Sequence, residues 1–430
     1  MSILKTSVSA LFLAGVGMAA TLCVNPGASS GCYATIGAAV AAAKSGDQIK
    51  IATGQYAENI LVTKPLSLVG AGSGSTIINA KGLANGIYVD GLDNPGISGV
   101  LISGVTVMNA NYEGILVTNA SYVVISNSHV TNNDQSLNYA ASTCAGQPVF
   151  ETSEGDDCGE GIHLIGVDHS TVSNSEVDLN SGGILLTDET GMTHDNLITG
   201  NSVHDNALDC GITLASHPPS PAAASKLPYG VFNNNLIGNT ATRNGLVGAG
   251  AGVGIYAAGP GNLAFGNKVI GNTITNNGLP GVTVHNHASV PGAPGFNLND
   301  TLIVGNLISG NAADTEDAAT SGPTGINIYG VGAIYGTIIA QNTIVNEAVD
   351  VVMNNPGSMD VHMNNLMGTG VGIANPGKGV VSGTENYFGC AGGAGTTGCG
   401  TLSGSAITAS PWLSAPVGTA PAAGKGKGRQ

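Results

Sequence analysis

The chain is poor in most of what a conventional globular domain is built from. Only 9% of its 430 residues are charged and 4% are aromatic. Cations are scarcest: of the 12 Lys and Arg, Lys5 lies in an N-terminal leader and Lys425, Lys427 and Arg429 lie in the last six residues. The body therefore holds 8 cations against 27 carboxylates, a net −19. A surface this acidic repels nucleic acid and anionic membranes, which excludes a nucleic-acid partner. After the leader, no stretch is long and apolar enough to cross a bilayer, so membrane insertion is not expected. The seven cysteines include no C-x-x-C spacing, which argues against a zinc ribbon or finger. The glycines show no three-residue period, which excludes collagen. Low charge beside 42% hydrophobic content excludes a disordered chain.

What is abundant is glycine, 67 residues, and asparagine, 41 residues. Both are poor helix formers. Together they predict a turn-dense β architecture, with Gly and Asn at positions of positive φ. The segment MSILKTSVSALFLAGVGMAA reads as a secretory signal peptide cut near Ala19 or Ala20, so the protein is expected in the extracellular space or periplasm. The cysteine content fits an oxidising compartment. The simplest pairing closes local loops, Cys23 with Cys32, Cys144 with Cys158 and Cys390 with Cys399, and leaves Cys210 over.

Repeats dominate the body. A strand-like G-[IV]-x-[apolar] unit begins at Gly86, Gly114, Gly161, Gly183, Gly211, Gly254, Gly281 and Gly325. Between these units lies N-x-[apolar]-x-x-N, whose first Asn is Asn201, Asn239, Asn272, Asn306, Asn342 and Asn365 and whose last is Asn206, Asn244, Asn277 and Asn311. The shortest intervals between apolar centres are 23 residues (Ile344 to Met367) and 26 residues (Val177 to Val203). That period, with short alternating strands, predicts a solenoid whose turns stack about 4.8 Å apart, with Asn side chains laddering from turn to turn. No L-x-x-L-x-L signature occurs, so a parallel β-helix is expected rather than a leucine-rich repeat.

Two segments carry a family resemblance. YATIGAAVAAAKSGDQIKIATGQYAENILVTKPLSLVGAG (Tyr33 to Gly72), after a Cys-bracketed loop, resembles the start of right-handed parallel β-helix proteins of the pectate-lyase-like superfamily, including the NosD-type repeat family. ENYFGC, a later Cys399 and SPWL (Ser410 to Leu413) resemble its closing segment. The resemblance implies an all-β, right-handed parallel β-helix with a short N-terminal capping helix in TIGAAVAAAK. Its parts would be a signal peptide over 1–20, a disulfide loop and capping helix over 21–46, the β-helix over 47–413 and a tail over 414–430. The superfamily holds lyases, hydrolases, epimerases, esterases and non-catalytic adhesins, so the resemblance is specific for fold rather than activity.

Strand alternation places the x of G-I-x-L on the outside. That column reads Tyr88, Leu116, His163, Leu185, Thr213, Tyr256, Thr283 and Asn327; two positions on come Thr118, Thr187, His285 and Tyr329. Such residues stack on and hydrogen-bond sugars. Insertions at 134–158 and 311–323 precede these strands, and insertions at 216–231 and 286–300 follow them, which would wall the sheet into a groove. Ionisable residues gather there: Asp156, Asp157, Glu160 and Asp209 before the strands, Asp188, Glu189, His217 and His287 after them. Carboxylates one or two turns apart would stand about 5 or 10 Å apart, bracketing the two glycosidase geometries. The expected catalytic groups are Glu160, Asp188, Glu189 and Asp209, with His163, Thr213, His217, Tyr256, His285, His287 and Asn327 contacting sugar. The His and Asp spacing matches no tight ligand motif, so no metal site is assigned.

The function expected is a secreted, monomeric polysaccharide-binding protein, a carbohydrate-active enzyme whose partner is a polysaccharide or cell-surface glycan. Hydrolysis is favoured over a uronate lyase or epimerase, because one body arginine, Arg243, beside Lys226 and Lys268 leaves little to neutralise uronate carboxylates. No cofactor is firmly implied; a Ca²⁺-dependent pectate-lyase-like enzyme would need the ion to bridge a polyanion to this acidic body. The paired Asp156-Asp157 lacks the later G-H-G and R-I-K of polygalacturonase-like hydrolases. A non-catalytic adhesion or carbohydrate-binding solenoid is the alternative, and a NosD-like metal-handling role is disfavoured by the scarcity of Met and Cys clusters.

Overall fold

The computed structural model describes residues 19–141, 143–148, 150, 158–217, 229–286, 295–315, 320–368 and 370–418. Most of the expected leader, the end of the tail, Asp156, Asp157 and His287 lie outside the described residues.

Three long sheets run the length of the molecule, of 14, 12 and 11 strands, here called sheets I, II and III. In each, a strand pairs with its counterpart in the turns before and after. All the pairings within these sheets are parallel: Ile115–Thr118, Ile162–Ile165 and Ile184–Thr187, for example, are successive neighbours in sheet II. The β-helix begins with Thr21–Val24, which pairs with Gln48–Ile51 in sheet I.

The alternation of the repeats sets the core. Ile115, Ile162, Ile184, Ile212, Val253, Val282, Ile326 and Val351 stand in register along sheet II and are essentially unexposed. Val130, Val177, Val203, Ala241, Ile274, Ile308 and Ile344 form the equivalent row in sheet III. Stacked β-branched side chains suit the pleated surface. The expected helix is α1, Ile36–Ala42, which buries Ile36, Ala39 and Val40 at the start of the core. Thr35 caps its N-terminus, and Glu58 accepts the Ile36 and Gly37 N–H groups at 2.7 and 2.9 Å.

Asn ladders join the turns: a short, part-buried one runs Asn132–Asn109–Asn79, and three buried ones stand beside it among the described residues. One runs Asn201–Asn239–Asn272–Asn306–Asn342–Asn364–Asn386, each Nδ2 donating to the next Oδ1. Here the expected Asn365 is corrected to Asn364, its neighbour in an N-N pair. A second runs Asn133–Asn180–Asn206–Asn244–Asn277–Asn311 and ends on the Glu347 carboxyl. The third, Asn196–Asn234–Asn267, was not expected from the repeat.

The turn glycines and asparagines take the expected positive φ, whereas the strand-start glycines serve another need. Positive φ falls mainly on the turns, at residues such as Asn127, Asn174, Asp205 and Gly200. Gly183, by contrast, is required by close approach: a Cβ there would meet the Gly211 carbonyl oxygen at 2.1 Å and Val203 Cγ1 at 2.3 Å. Sheet III turns into sheet II at this point, and a side chain would push the turns apart. Disulfides form between Cys23 and Cys32, Cys144 and Cys158, and Cys390 and Cys399; Cys210 is free and buried. Among the described residues no helix is long and apolar enough to cross a membrane.

Candidate functional site

Register along sheet II assembles the site. The outward column reads Tyr88, Leu116, His163, Leu185, Thr213, Gly254, Thr283 and Asn327. Tyr256 is therefore not in it, which corrects the sequence alignment. The segment G-V-G-I-Y holds two glycines, and Gly252, not Gly254, opens the strand. Tyr256 lies two residues on, between Ala215 and His285.

The central part of this face is enclosed rather than exposed. Leu116, His163, Leu185 and Asn327 are fully buried and Thr213 nearly so, although all point away from the solenoid core. The first insertion contributes to the cover. It forms a small hairpin (Leu137–Asn138 with Thr143–Cys144), Tyr112 donates to the Ala145 carbonyl, and Phe150 stacks on Tyr88 with ring centroids 6.4 Å apart. An open groove over the whole sheet is thus replaced by a closed polar cluster with a part-exposed edge.

Six ionisable groups lie in that cluster at 1% exposure or less: Glu113, Glu160, His163, Asp188, Glu189 and His217. They fall at the two ends of the strands. Glu113 and Glu160 precede the glycine in consecutive turns, and the Gly114 N–H donates to the Glu160 carbonyl. Glu160 folds over Gly182, the next residue of the column, where a Cβ would sit 2.3 Å from its Oε2. Glu113 escaped the sequence reading, although E-G-I occurs at both Glu113-Gly114-Ile115 and Glu160-Gly161-Ile162. His163 links the two ends. Its Nδ1 is 3.8 Å from Glu113 Oε1, and its Nε2 is 2.9 Å from Thr187 Oγ1. Burial pulls its imidazole down to about 4, with the charge of Glu189 opposing. Burial thus favours the uncharged imidazole at neutral pH.

The other end is built around the turn after Ile212–Ser216. His217 Nδ1 pairs with Glu189 Oε1 at 2.9 Å. Asp188 holds the same turn: its Oδ2 accepts from Ser216 Oγ at 2.7 Å and its Oδ1 from the His217 N–H at 2.8 Å. Asn262, from the next turn, donates to the His217 carbonyl at 2.7 Å. Burial and the neighbouring Glu189 charge push the Asp188 carboxyl up to about 7. Burial alone would raise Glu189 as well, but its bond to His217 and the His217 charge outweigh that and bring it below the ordinary value. Adjacent carboxyls are thereby driven apart, one towards an acid and one towards a carboxylate.

From His217 the cluster reaches the surface through aromatic rings. Tyr256 meets His217 edge-on at 5.8 Å, and His285 lies 5.0 Å beyond Tyr256. Both are half-buried, and Thr283 hydrogen-bonds His285 Nδ1 at 3.2 Å. The structure brings Glu160, His163, Asp188, Glu189, His217, Tyr256 and His285 to one face. Asp209 lies at the Glu113 and Glu160 end of the strands, away from His217, half-buried beside Cys210. Asn327 lies several turns away, bonded to Asp314 Oδ2 at 2.8 Å.

No curated protein matches the chain. Solved structures of similar shape include a mannuronan C-5 epimerase A-module from Azotobacter vinelandii, with 14% identity over 89% of this chain and 93% of that one at a TM-score of 0.42. The catalytic unit of an α-1,3-glucanase from Streptomyces thermodiastaticus has 16% identity over 87% of this chain and 65% of its own, at 0.47. A surface adhesin of Streptococcus pneumoniae has 13% identity over 80% and 86%, at 0.45. The family model of the right-handed β-helix region matches residues 68–292, just over half of the sequence and most of the laddered turns. With three parallel sheets in turn-by-turn register, the chain belongs to the right-handed parallel β-helix family.

Proposed function

We propose that the protein is a secreted, carbohydrate-active β-helix that performs proton-transfer chemistry on a polysaccharide at the His217 end of sheet II. The observation that carries this reading is the Glu189–His217 pair, buried and hydrogen-bonded, beside the part-exposed Tyr256 and His285. A carboxylate on Nδ1 fixes the imidazole tautomer and stabilises its protonated form, so proton exchange runs through Nε2. Asp188 positions the turn that carries His217, and Tyr256 and His285 present rings to sugar faces. Glu113, Glu160 and His163 form the inner part of the same polar face.

Hydrolysis of a neutral glycan is the form of this chemistry that the side chains favour. Among the described residues the cluster contains no Lys or Arg to neutralise a uronate carboxylate. The three disulfides fit secretion. A glycan panel read both by reducing-end release and by absorbance of unsaturated products tests the reading. Reducing ends released by wild type and lost in Glu189→Gln and His217→Ala support it. Unsaturated products would replace hydrolysis by β-elimination. The enclosure of Glu113, Glu160 and His163 favours one alternative, a binding or adhesion solenoid stiffened by a buried polar network. Glycan binding without turnover, weakened by Tyr256→Ala, would select it.

A further inference from the structure

Among the described residues two groups outside the sheet II cluster bring imidazole and carboxylate ligand atoms together. The more developed one lies on the outer face of sheet III. Three neighbouring strands, His129–Thr131, Glu176–Asp178 and Ser202–His204, turn Val130, Val177 and Val203 inward. The residues on either side of each valine therefore face out. His129 stands opposite Glu176, and Thr131, Asp178 and His204 form the parallel column.

We infer that His129, Glu176, Asp178 and His204 form a binding site for a divalent transition metal of the Zn²⁺ class, with Asp205 and Arg243 positioning His204. His129 Nε2 is 2.8 Å from Asp178 Oδ1, and His204 Nε2 is 3.3 Å from Glu176 Oε1. Ligand atoms of His129, Glu176 and Asp178 all lie within 4.8 Å of one another. Two donors bound at about 2.1 Å to one ion, at tetrahedral or octahedral angles, stand roughly 3.0–3.5 Å apart. Three of the four residues thus already hold their ligand atoms close together, and His204 joins them through Glu176. Two imidazoles with two carboxylates select a borderline ion over Ca²⁺ or Mg²⁺, which take oxygen ligands.

The surroundings of His204 are a second, independent observation. Its other nitrogen, Nδ1, is 2.8 Å from Asp205 Oδ2. Arg243, the one arginine between the leader and the tail, donates through Nε to Asp205 Oδ1 at 2.6 Å and through a second nitrogen to Oδ2. A carboxylate on the far nitrogen is how metal-bound histidines are oriented and made more basic. Asp205 and Arg243 occupy equivalent left-handed turn positions in successive turns, which places them side by side. The side chains of His129, Asp178 and His204 are 29%, 14% and 19% exposed, so an ion reaches them from solvent.

The other group, His169, His194 and Asp195, lacks this support. Its imidazoles belong to a column of rings running Tyr122–His169–His194–Phe232–Phe265, with centroids 4.9–5.8 Å apart. Each Nδ1 pairs with a sequence-adjacent aspartate, as His204 does, but among the described residues no arginine or lysine holds either aspartate in place. It serves as the internal control.

Metal-stripped full-length protein titrated with Zn²⁺ by calorimetry, and with Co²⁺ by visible absorption, tests the site. Saturable binding of one equivalent is expected, lost in His129→Ala and His204→Ala and retained in His169→Ala. Asp205→Asn and Arg243→Ala should weaken binding about 10- to 100-fold and alter the Co²⁺ spectrum, because they act through the orientation of His204. Circular dichroism confirms that each variant is folded, and a Zn²⁺-dependent rise in Tm should vanish in His204→Ala. Wild-type binding in His129→Ala and His204→Ala, loss in His169→Ala instead, or no saturable binding would each overturn the inference.

Discussion

Asn239 is the place to test whether the ladders hold the solenoid together. It is 1% exposed and sits inside the longest ladder. Its Nδ2 donates to the Ile198 carbonyl at 2.8 Å and to Asn272 Oδ1 at 3.0 Å. Its Oδ1 accepts from the Asn201 backbone N–H and from Asn201 Nδ2, each at 3.0 Å. Replacing Asn239 by Ala breaks all four bonds. Asn272 Oδ1 keeps the Asn239 backbone N–H, but two buried donors of Asn201 lose their acceptor. Orphaned buried donors cost about 1–3 kcal/mol each, so Asn239→Ala should destabilise by about 3–5 kcal/mol. Urea unfolding measures it as a fall in the midpoint with little change in slope. Asn235→Ala is the control: its half-buried side chain lies outside the ladders and donates to the nearby Asn233 carbonyl, and a change within about 0.5 kcal/mol is expected. Asn239→Asp should be worse than Ala at neutral pH, since its carboxylate would face the Ile198 and Asn272 oxygens, and should recover as acid protonates it. A loss at Asn239 no larger than at Asn235, or an Asp variant with no pH response, would refute the ladder argument.

Other perturbations follow from the buried carboxyls and the tight glycines. Asp350 is buried beside Glu347, and burial pushes its carboxyl up to about 8 and that of Glu347 to about 7. A folded-state value above the unfolded one gives stability that is present below about pH 4 and lost as pH rises through 7 to 8. Asp350→Asn, which can still accept from the Gly368 N–H, should therefore raise the urea midpoint at pH 8 and leave it unchanged at pH 4. Gly182→Ala drives a methyl group into the Glu160 carboxylate and should cost about 1–3 kcal/mol in Tm-derived stability. Glu160→Ala should rescue most of that, and simple additivity of the two changes would show that the clash is relieved elsewhere. Glu58→Ala removes the acceptor of two N–H groups at the start of α1 and should cost about 1–2 kcal/mol by the same unfolding assay.

Much of the fold was legible in residue order. The G-I-x-L and N-x-[apolar]-x-x-N units carry both the strand alternation and the turn chemistry, so the solenoid, the inward rows and two ladders could be read from them. The cysteine pairs were legible because each closes a short loop. Errors arose where one turn differs from the next. In G-V-G-I-Y two glycines compete for one position, and only pairing of Val253 with Ile212 and Val282 decides between them. In the N-N pair, Asn364 and Asn365 have the same chemistry, and the turn geometry selects the one that points along the axis.

The site was legible as a set of residue types and not as an arrangement. Glu160, His163, Asp188, Glu189 and His217 were recognised as chemistry-bearing, and Glu113 was missed. Their burial depends on what folds over sheet II, which the strand pattern does not encode. The sheet III group was invisible in sequence, because His129 and Glu176 lie 47 residues apart and meet only when two turns stack. Composition and repeat period alone determined that this chain is an acidic, laddered β-solenoid, because the core rows and the turns are local, periodic properties. Which side chains share an environment, and which carboxyls lose their water, was decided only by turn-on-turn register and by the covering segments. Those contacts join residues that no local pattern relates.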